Sequence, residues 1–387
     1  MSSRWQEAYA RLQEFVKAKP SITISTIVLA IPGDVRTEFY RHFDDVRVSF
    51  VEEKFPAFLE EAVVLGQNYT RAEQEVKELL KLDSIVALGF LNRFLHEPKN
   101  ELIKGLFDPL FELLRGTIDS ATFEQKGLRD IQVTFERSHR LGYAKWMALS
   151  LVKMLESDRL FTITPPESKM DGHNEPLLCE WDVSSPQESK ILSFEHGPDN
   201  FPPFITPHFI VHSAKLNRYV AVRTELFKTA EYIALNYTDK REWYHTESIE
   251  KEYKAARSDP SLLIYIGDEL DELALIADHD RMYRPDMIVE YRELRDWEDK
   301  DMPARTKLFD VLNPKLGRYI VSRDPLPVQV PQETPLVPVA QQLLVEQGTE
   351  TEERAANRSL EIGFDQSKLE PIIQTLVNYD NIELEKM

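Results

Sequence analysis

From Asp34 to Asp158 apolar residues recur at intervals of three and four almost without a break, and near Leu160 that rhythm ends. A period near 3.6 buries a continuous stripe only on helices, whereas half-buried strands need alternation at period two. A chain with both patterns in successive blocks is confined to a helical bundle followed by a sheet-bearing region, the α+β class. In the first block Phe39, Phe43, Val46 and Phe50 form one stripe, and Pro56 permits a new helix start. Val76, Leu79, Leu80 and Ile85 continue it, followed by Leu102, Leu106, Leu110, Leu113 and Leu114. Asp119 is placed to cap a helix carrying Phe123, Leu128, Ile131 and Phe135, and Gly142 precedes a run through Trp146, Leu149, Val152 and Leu155. With breaks at Pro98, Gly116 and Gly142, this reads as about six or seven helices joined by short loops.

At the N-terminus Trp5, Tyr9, Leu12, Phe15 and Val16 describe an amphipathic helix rather than a secretory core. The most apolar stretch, 22–31, is about half the length a bilayer crossing needs and is closed by Pro32-Gly33-Asp34, so it reads as extended chain. The expectation is a cytoplasmic protein with no membrane partner.

The second block carries candidate strands at 177–181, 204–212, 217–224, 262–266, 287–291, 307–312 and 318–322, with helices expected at 246–257 and 268–278. Prolines at 325, 327, 331, 335 and 338 mark an extended linker, followed by the polar run 348–358. The expected organisation is a helical domain at 1–159, a mixed α/β domain at 160–323, a linker at 324–366 and a C-terminal helix and tail at 367–387.

One internal echo stands out. Residues 209–223, FIVHSAKLNRYVAVR, align without a gap on 309–323, FDVLNPKLGRYIVSR. Both have the form strand, polar turn, strand, so each reads as a β-hairpin. Lys215/Lys315 align as well, and agreement at Arg218/Arg318 and Tyr219/Tyr319 exceeds what hairpin geometry requires. A shorter echo sets Pro207-His-Phe-Ile-Val-His against Pro285-Asp-Met-Ile-Val-Glu.

Chemistry is harder to find. The stretch 204–225 resembles the core of PD-(D/E)XK restriction-endonuclease-like nucleases, a proline-led strand turning into a second strand with an acid-x-lysine triplet. That resemblance implies a divalent-metal fold held by hard carboxylates. At the matching positions, however, stand His208 and then Arg223, Thr224 and Glu225, so it speaks for fold alone. On a strand Asp286 and Glu290 share a face, a pair able to hold Mg²⁺ or act as acid and base; their ordinary role is a solvated face with Met287, Val289 and Tyr291 inward. His208 and His212 share a strand face in the same way, with no third zinc ligand evident. Cys179 is alone, so no intrachain disulfide forms, and Glu180 and Asp182 beside it are expected to disfavour rather than favour a reactive thiolate. No GxGxxG, Walker A, GxSxG or HExxH sequence occurs. The net charge of −19 argues against a surface committed to nucleic acid, leaving only a local basic groove for it.

The reading is therefore a non-catalytic interaction or regulatory protein, without cofactor, that binds another protein through its helical domain and its tail. In the tail, Ser367-Lys-Leu-Glu370 reads as a capping box. Leu369, Ile372, Ile373, Leu376 and Val377 form a narrow apolar stripe that must pack on the chain itself or on a partner. Trp297, in the mixed-charge run 292–305, is a further candidate anchor. The alternative is a Mg²⁺-dependent nuclease or hydrolase with Asp286, Glu290, Glu225 and Asp268 as its carboxylates.

Overall fold

The computed structural model describes residues 3–26, 28–163, 186–194, 206–224, 262–274, 276–278, 281–282, 284–292, 314–322 and 357–379. The chain divides into two compact units, Met1–Glu78 with Ser84–Leu149 and Leu79–Asp83 with Ser150–Met387. Helices dominate the first and a mixed sheet the second, so the fold is α+β.

The helical unit begins with α1 (Arg4–Ala18), whose start is held by the Ser3 amide donating to Gln6 Oε1 at 3.1 Å. Strands β1 (Thr23–Ile24) and β2 (Leu29–Ala30) form a short antiparallel pair. Then come α2 (Gly33–Lys54), α3 (Pro56–Leu80), β3 (Ser84–Val86), α4 (Gly89–His96), α5 (Pro98–Leu102), α6 (Phe107–Leu114) and α7 (Ser120–Met154). The expected stripe of Phe39, Phe43, Val46 and Phe50 is fully buried. Trp5, Phe50 and Phe123 meet at ring distances of 5.1 to 5.8 Å, and Phe58 stacks on Phe135 at 4.1 Å. Asp119 caps α7, with Oδ1 accepting from the Thr122 amide at 2.8 Å; that bond holds its carboxyl below the usual range.

Two expectations here need correction. Gly142 does not break a helix: it lies inside α7, because a Cβ there would stand 2.9 Å from Leu95 Cδ2 and 3.0 Å from Leu65 Cδ2. Glycine is serving close packing rather than punctuation. Ile85 is not helical but lies on β3; α3 ends before it, where Lys81 takes a positive φ of 52°.

The second unit contains β4 (Ser157–Thr162), β5 (Gln187–Glu188), β6 (Ile191–Ser193), β7 (Phe209–Ser213), β8 (Arg218–Thr224), β9 (Leu262–Gly267), β10 (Ala277–Asp278), β11 (Arg281–Met282), β12 (Met287–Arg292), β13 (Arg318–Ser322) and β14 (Asn357–Glu361). Eight of them form one sheet in the order β14-β13-β12-β9-β8-β7-β4-β5. The pairs β12–β13 and β13–β14 are parallel and the rest antiparallel. A 3₁₀ turn (Gln366–Leu369) leads into α8 (Glu370–Val377).

The hairpin expected at 209–223 forms, with His212 opposite Tyr219 and Ser213 opposite Arg218. Of the second expected hairpin, at 309–323, the first arm lies outside the described residues, and β13 pairs with β12 on one edge and β14 on the other. The helix expected over 268–278 is replaced by a 3₁₀ turn at Asp271–Leu273 and by β10, since its apolar residues sustain barely one turn. β14 runs through residues whose composition reads as linker; Asn-Arg-Ser-Leu-Glu has one apolar residue and shows no alternation. The expected elements at 177–181, 246–257 and 307–312 lie outside the described residues, as do Cys179, Glu225, Trp297 and the proline-rich stretch. Among the described residues no helix is long and apolar enough to cross a membrane.

Candidate functional site

The repeated sequence becomes a site at one end of the sheet. Lys215-Leu-Asn-Arg-Tyr219 leads into β8, and Lys315-Leu-Gly-Arg-Tyr319 leads into β13. The position before the arginine is left-handed in both copies, with φ 51° at Asn217 and 101° at Gly317. Asparagine and glycine are the residues that take this conformation at least cost. β8 is antiparallel to β9, β9 antiparallel to β12, and β12 parallel to β13, so β8 and β13 run the same way. Their leading turns therefore emerge at the same end.

Both turns reach the segment 370–379. Lys215 Nζ lies 3.6 Å from Glu370 Oε1. Arg218 sits over the Tyr379 ring at 5.2 Å, and Lys315 donates to the Tyr379 hydroxyl at 3.3 Å. Tyr319 donates to the Pro371 carbonyl at 3.0 Å, with its hydroxyl 2.6 Å from Thr375 Oγ1. Arg358, on β14, donates to both of those hydroxyls at 2.6 and 2.7 Å. Beneath these contacts Leu369, Ile372, Ile373 and Leu376 are buried to 1% exposure or less, while Val377 stays exposed. The apolar stripe of the tail is thus covered by the chain itself.

The cap of this segment differs from expectation. Asp365, not Ser367, is the acceptor, taking bonds from the Ser367 amide at 3.0 Å and the Ser367 hydroxyl at 2.6 Å. A carboxylate two residues upstream accepts more strongly than a hydroxyl, so the serine is used as a donor. Those bonds hold the Asp365 carboxyl below its usual range.

Two of the expected carboxylates belong to the same end of the sheet. Asp286 Oδ2 accepts from the Ile266 amide at 2.6 Å, and Oδ1 lies 2.9 Å from Lys315 Nζ. Burial pushes its carboxyl above the usual range; the charge of Lys315 and the amide bond pull the other way without cancelling it. Asp268 is paired with Arg218 at 2.6 Å, but it is largely exposed, so that pair contributes little by itself. The Asp286–Lys315 pair is different: Asp286 is buried beside a partly exposed Lys315, so removing the lysine leaves a carboxylate without compensation inside the protein.

The solvated-face expectation for Asp286 and Glu290 is overturned, since they are 2% and 1% exposed. β12 lies inside the sheet and is covered on both faces, with Met287, Ile288, Val289 and Tyr291 equally buried. Among the described residues no group of three or more metal-ligating side chains comes together. The two histidines are engaged separately: His208 Nδ1 accepts from the Thr224 amide at 2.9 Å, and His212 Nδ1 lies 2.7 Å from Asp158 Oδ1. Arg223, at another nuclease-motif position, donates to the Thr206 carbonyl. His208, Arg223 and Thr224 thus hold backbone at the far end of the β7–β8 hairpin.

Sequence reasoning found the repeat but assigned no role to Lys215, Lys315, Arg218 or Tyr319, and it missed Arg358, Thr375 and Tyr379 altogether. The available signal was the agreement of the two copies at lysine, arginine and tyrosine. No family model, curated protein or solved structure matches this chain, so the nuclease resemblance of 204–225 gains no support from known folds.

Proposed function

We propose that this chain is a non-catalytic interaction protein of the cytoplasm whose sheet unit is a helix-binding module. The observation that carries this reading is the convergence of Lys215, Arg218, Lys315 and Tyr319, from two copies of one five-residue turn, on a single helical segment. Each copy supplies a basic side chain at the same end of the sheet, which is how a surface reads a ligand along its length. Asp286 supports the reading as well, because its carboxylate is engaged by the lysine that reaches Tyr379. Crosslinking mass spectrometry of the full-length protein in cell extract tests it. Lys215 and Lys315 should crosslink reproducibly to one second polypeptide, and the crosslinks should vanish in Arg218→Ala/Tyr319→Phe. Crosslinks confined to the chain itself, both in wild type and in an Ile373→Asp chain whose tail helix is undocked, would refute it.

The burial of both Asp286 and Glu290 favours a second reading, a Mg²⁺-dependent hydrolase. Calorimetric titration with Mg²⁺ or Mn²⁺ and a phosphodiester hydrolysis assay separate the two. Metal binding and turnover that disappear together in Asp286→Asn/Glu290→Gln would establish the enzyme.

A further inference from the structure

The groups that hold α8 are all groups that another helix could satisfy. Lys215 reads a carboxylate at position 370, and Arg218 and Lys315 read a phenol ring and its hydroxyl at position 379. Tyr319 and Arg358 read a hydroxyl and a carbonyl between them, at 375 and 371. The buried apolar contribution of this segment comes from Leu369, at the end of the 3₁₀ turn, and from Ile372, Ile373 and Leu376 of α8. In a chain of net charge −19, four basic side chains thus attend residues 370–379. Arg218 and Lys315 are also paired with Asp268 and Asp286, so the surplus of positive charge on the sheet side rests on Lys215 and Arg358. That local reversal of sign is complementary to an acidic ligand. Cations near the last turn also suit a helix C-terminus, but Lys215 stands at the first turn, where a cation is unfavourable unless Glu370 is beside it. The surface therefore selects a side chain there, not merely a helix end.

α8 is suited to being displaced. Eight residues make a marginal helix in water, so its order depends on docking. It also adds no strand to the sheet, so its departure breaks no ladder.

Building on the binding-module reading, we propose that the surface under α8 is a groove for an acidic amphipathic helix of another polypeptide, with a carboxylate near one end and a tyrosine nine residues on. α8 occupies that groove in cis as a built-in competitor. The partner thus presents the chemistry of residues 369–379, and the free chain is autoinhibited. An intramolecular helix acts at an effective concentration of about millimolar, so a partner must exceed its affinity or wait for its release.

The test uses a fluorescein-labelled peptide of residues 365–387 as the probe and the full-length chain as receptor, read by fluorescence anisotropy. Wild type should bind weakly, and full-length Ile373→Asp, with α8 released, should bind at least about tenfold more tightly. Adding Arg218→Ala and Lys315→Ala to Ile373→Asp should abolish that gain, and a Glu370→Lys probe should lose it as well. Equal binding to wild type and Ile373→Asp would overturn the autoinhibition while leaving the binding module standing. Equal binding of the Glu370→Lys probe would overturn the acidic ligand class. A folded Ile373→Asp chain that binds no probe overturns the groove itself, whereas the crosslinks to a second polypeptide test the broader reading separately. If Ile373→Asp does not fold, Glu370→Ala/Tyr379→Ala, which spares the apolar stripe, serves as the released receptor with the same outcomes.

Discussion

Ile373 has no exposed surface, and it lies in the same unit as Lys215, Arg218, Lys315 and Tyr319, the repeated turns that clamp α8. Replacing it by alanine removes three carbons from a site that its neighbours fill completely, and such truncations cost about 2–5 kcal/mol. A helix of eight residues cannot lose more than its own docking free energy before it leaves the surface. The loss in Ile373→Ala should therefore approach that ceiling, and Ile373→Asp should reach it, since a carboxylate cannot enter the apolar seam unpaired. In a unit of roughly 240 residues each kcal/mol moves Tm by about 2–4 °C, so Ile373→Ala should melt several degrees below wild type. Val377→Ala, on the exposed side of the same helix, should fall within about 0.5 kcal/mol of wild type. Melting followed by circular dichroism is the assay. An Ile373→Ala chain that melts with wild type would refute the claim that this stripe is buried in the chain.

The helical unit offers a steric check: a Cβ on Gly66 would stand 2.3 Å from the Leu95 carbonyl oxygen, so Gly66→Ala should lower the melting temperature of that unit, and an unchanged melt would contradict the close approach of α3 and α4. Asp286 has its carboxyl raised by burial, so the folded state holds the proton more tightly than the unfolded state, and its contribution to stability declines as pH rises through and above the ordinary value of 3.8. Asp286→Asn should remove that decline, and parallel stability–pH curves for the two proteins would show the assignment to be wrong. Asp119 behaves oppositely: its carboxyl is lowered by the α7 cap, so the stability it provides is present above the unfolded value and is lost as pH falls through the folded one. Asp119→Ala should lower stability at neutral pH and match wild type in strong acid, measured by urea unfolding at both.

Much of the helical unit was legible because its stripes are long and end at recognisable punctuation. Phe39 to Phe50 could be read directly, and Asp119 announced the start of α7. Gly142 misled, because the same residue that ends helices also lets them pack at close range, and only the neighbours Leu65 and Leu95 tell the two uses apart. In the sheet unit the strands β8, β12 and β13 could be read from their β-branched runs. Their order could not, since β13 pairs with β14 across a long stretch of intervening sequence. The depth of Asp286 and Glu290 was hidden for a related reason: alternation along β12 predicts which residues share a face, but not whether both faces are covered. The clamp was half visible. The repeat displayed its lysines, arginines and tyrosines, yet their common target, 370–379, lies far along the chain and carries no copy of the motif.

The most direct measurement is hydrogen exchange of the backbone amides from 372 to 378 in the full-length triple variant Lys215→Ala/Arg218→Ala/Lys315→Ala. If the two repeated turns hold α8, those amides should exchange at least about tenfold faster than in wild type, equivalent to a lost contribution of about 1.4 kcal/mol. The amides of β4, which carries none of the three residues, should be unaffected. Unchanged protection across α8 would mean that the apolar stripe alone holds the helix and that the duplicated turns are not a clamp.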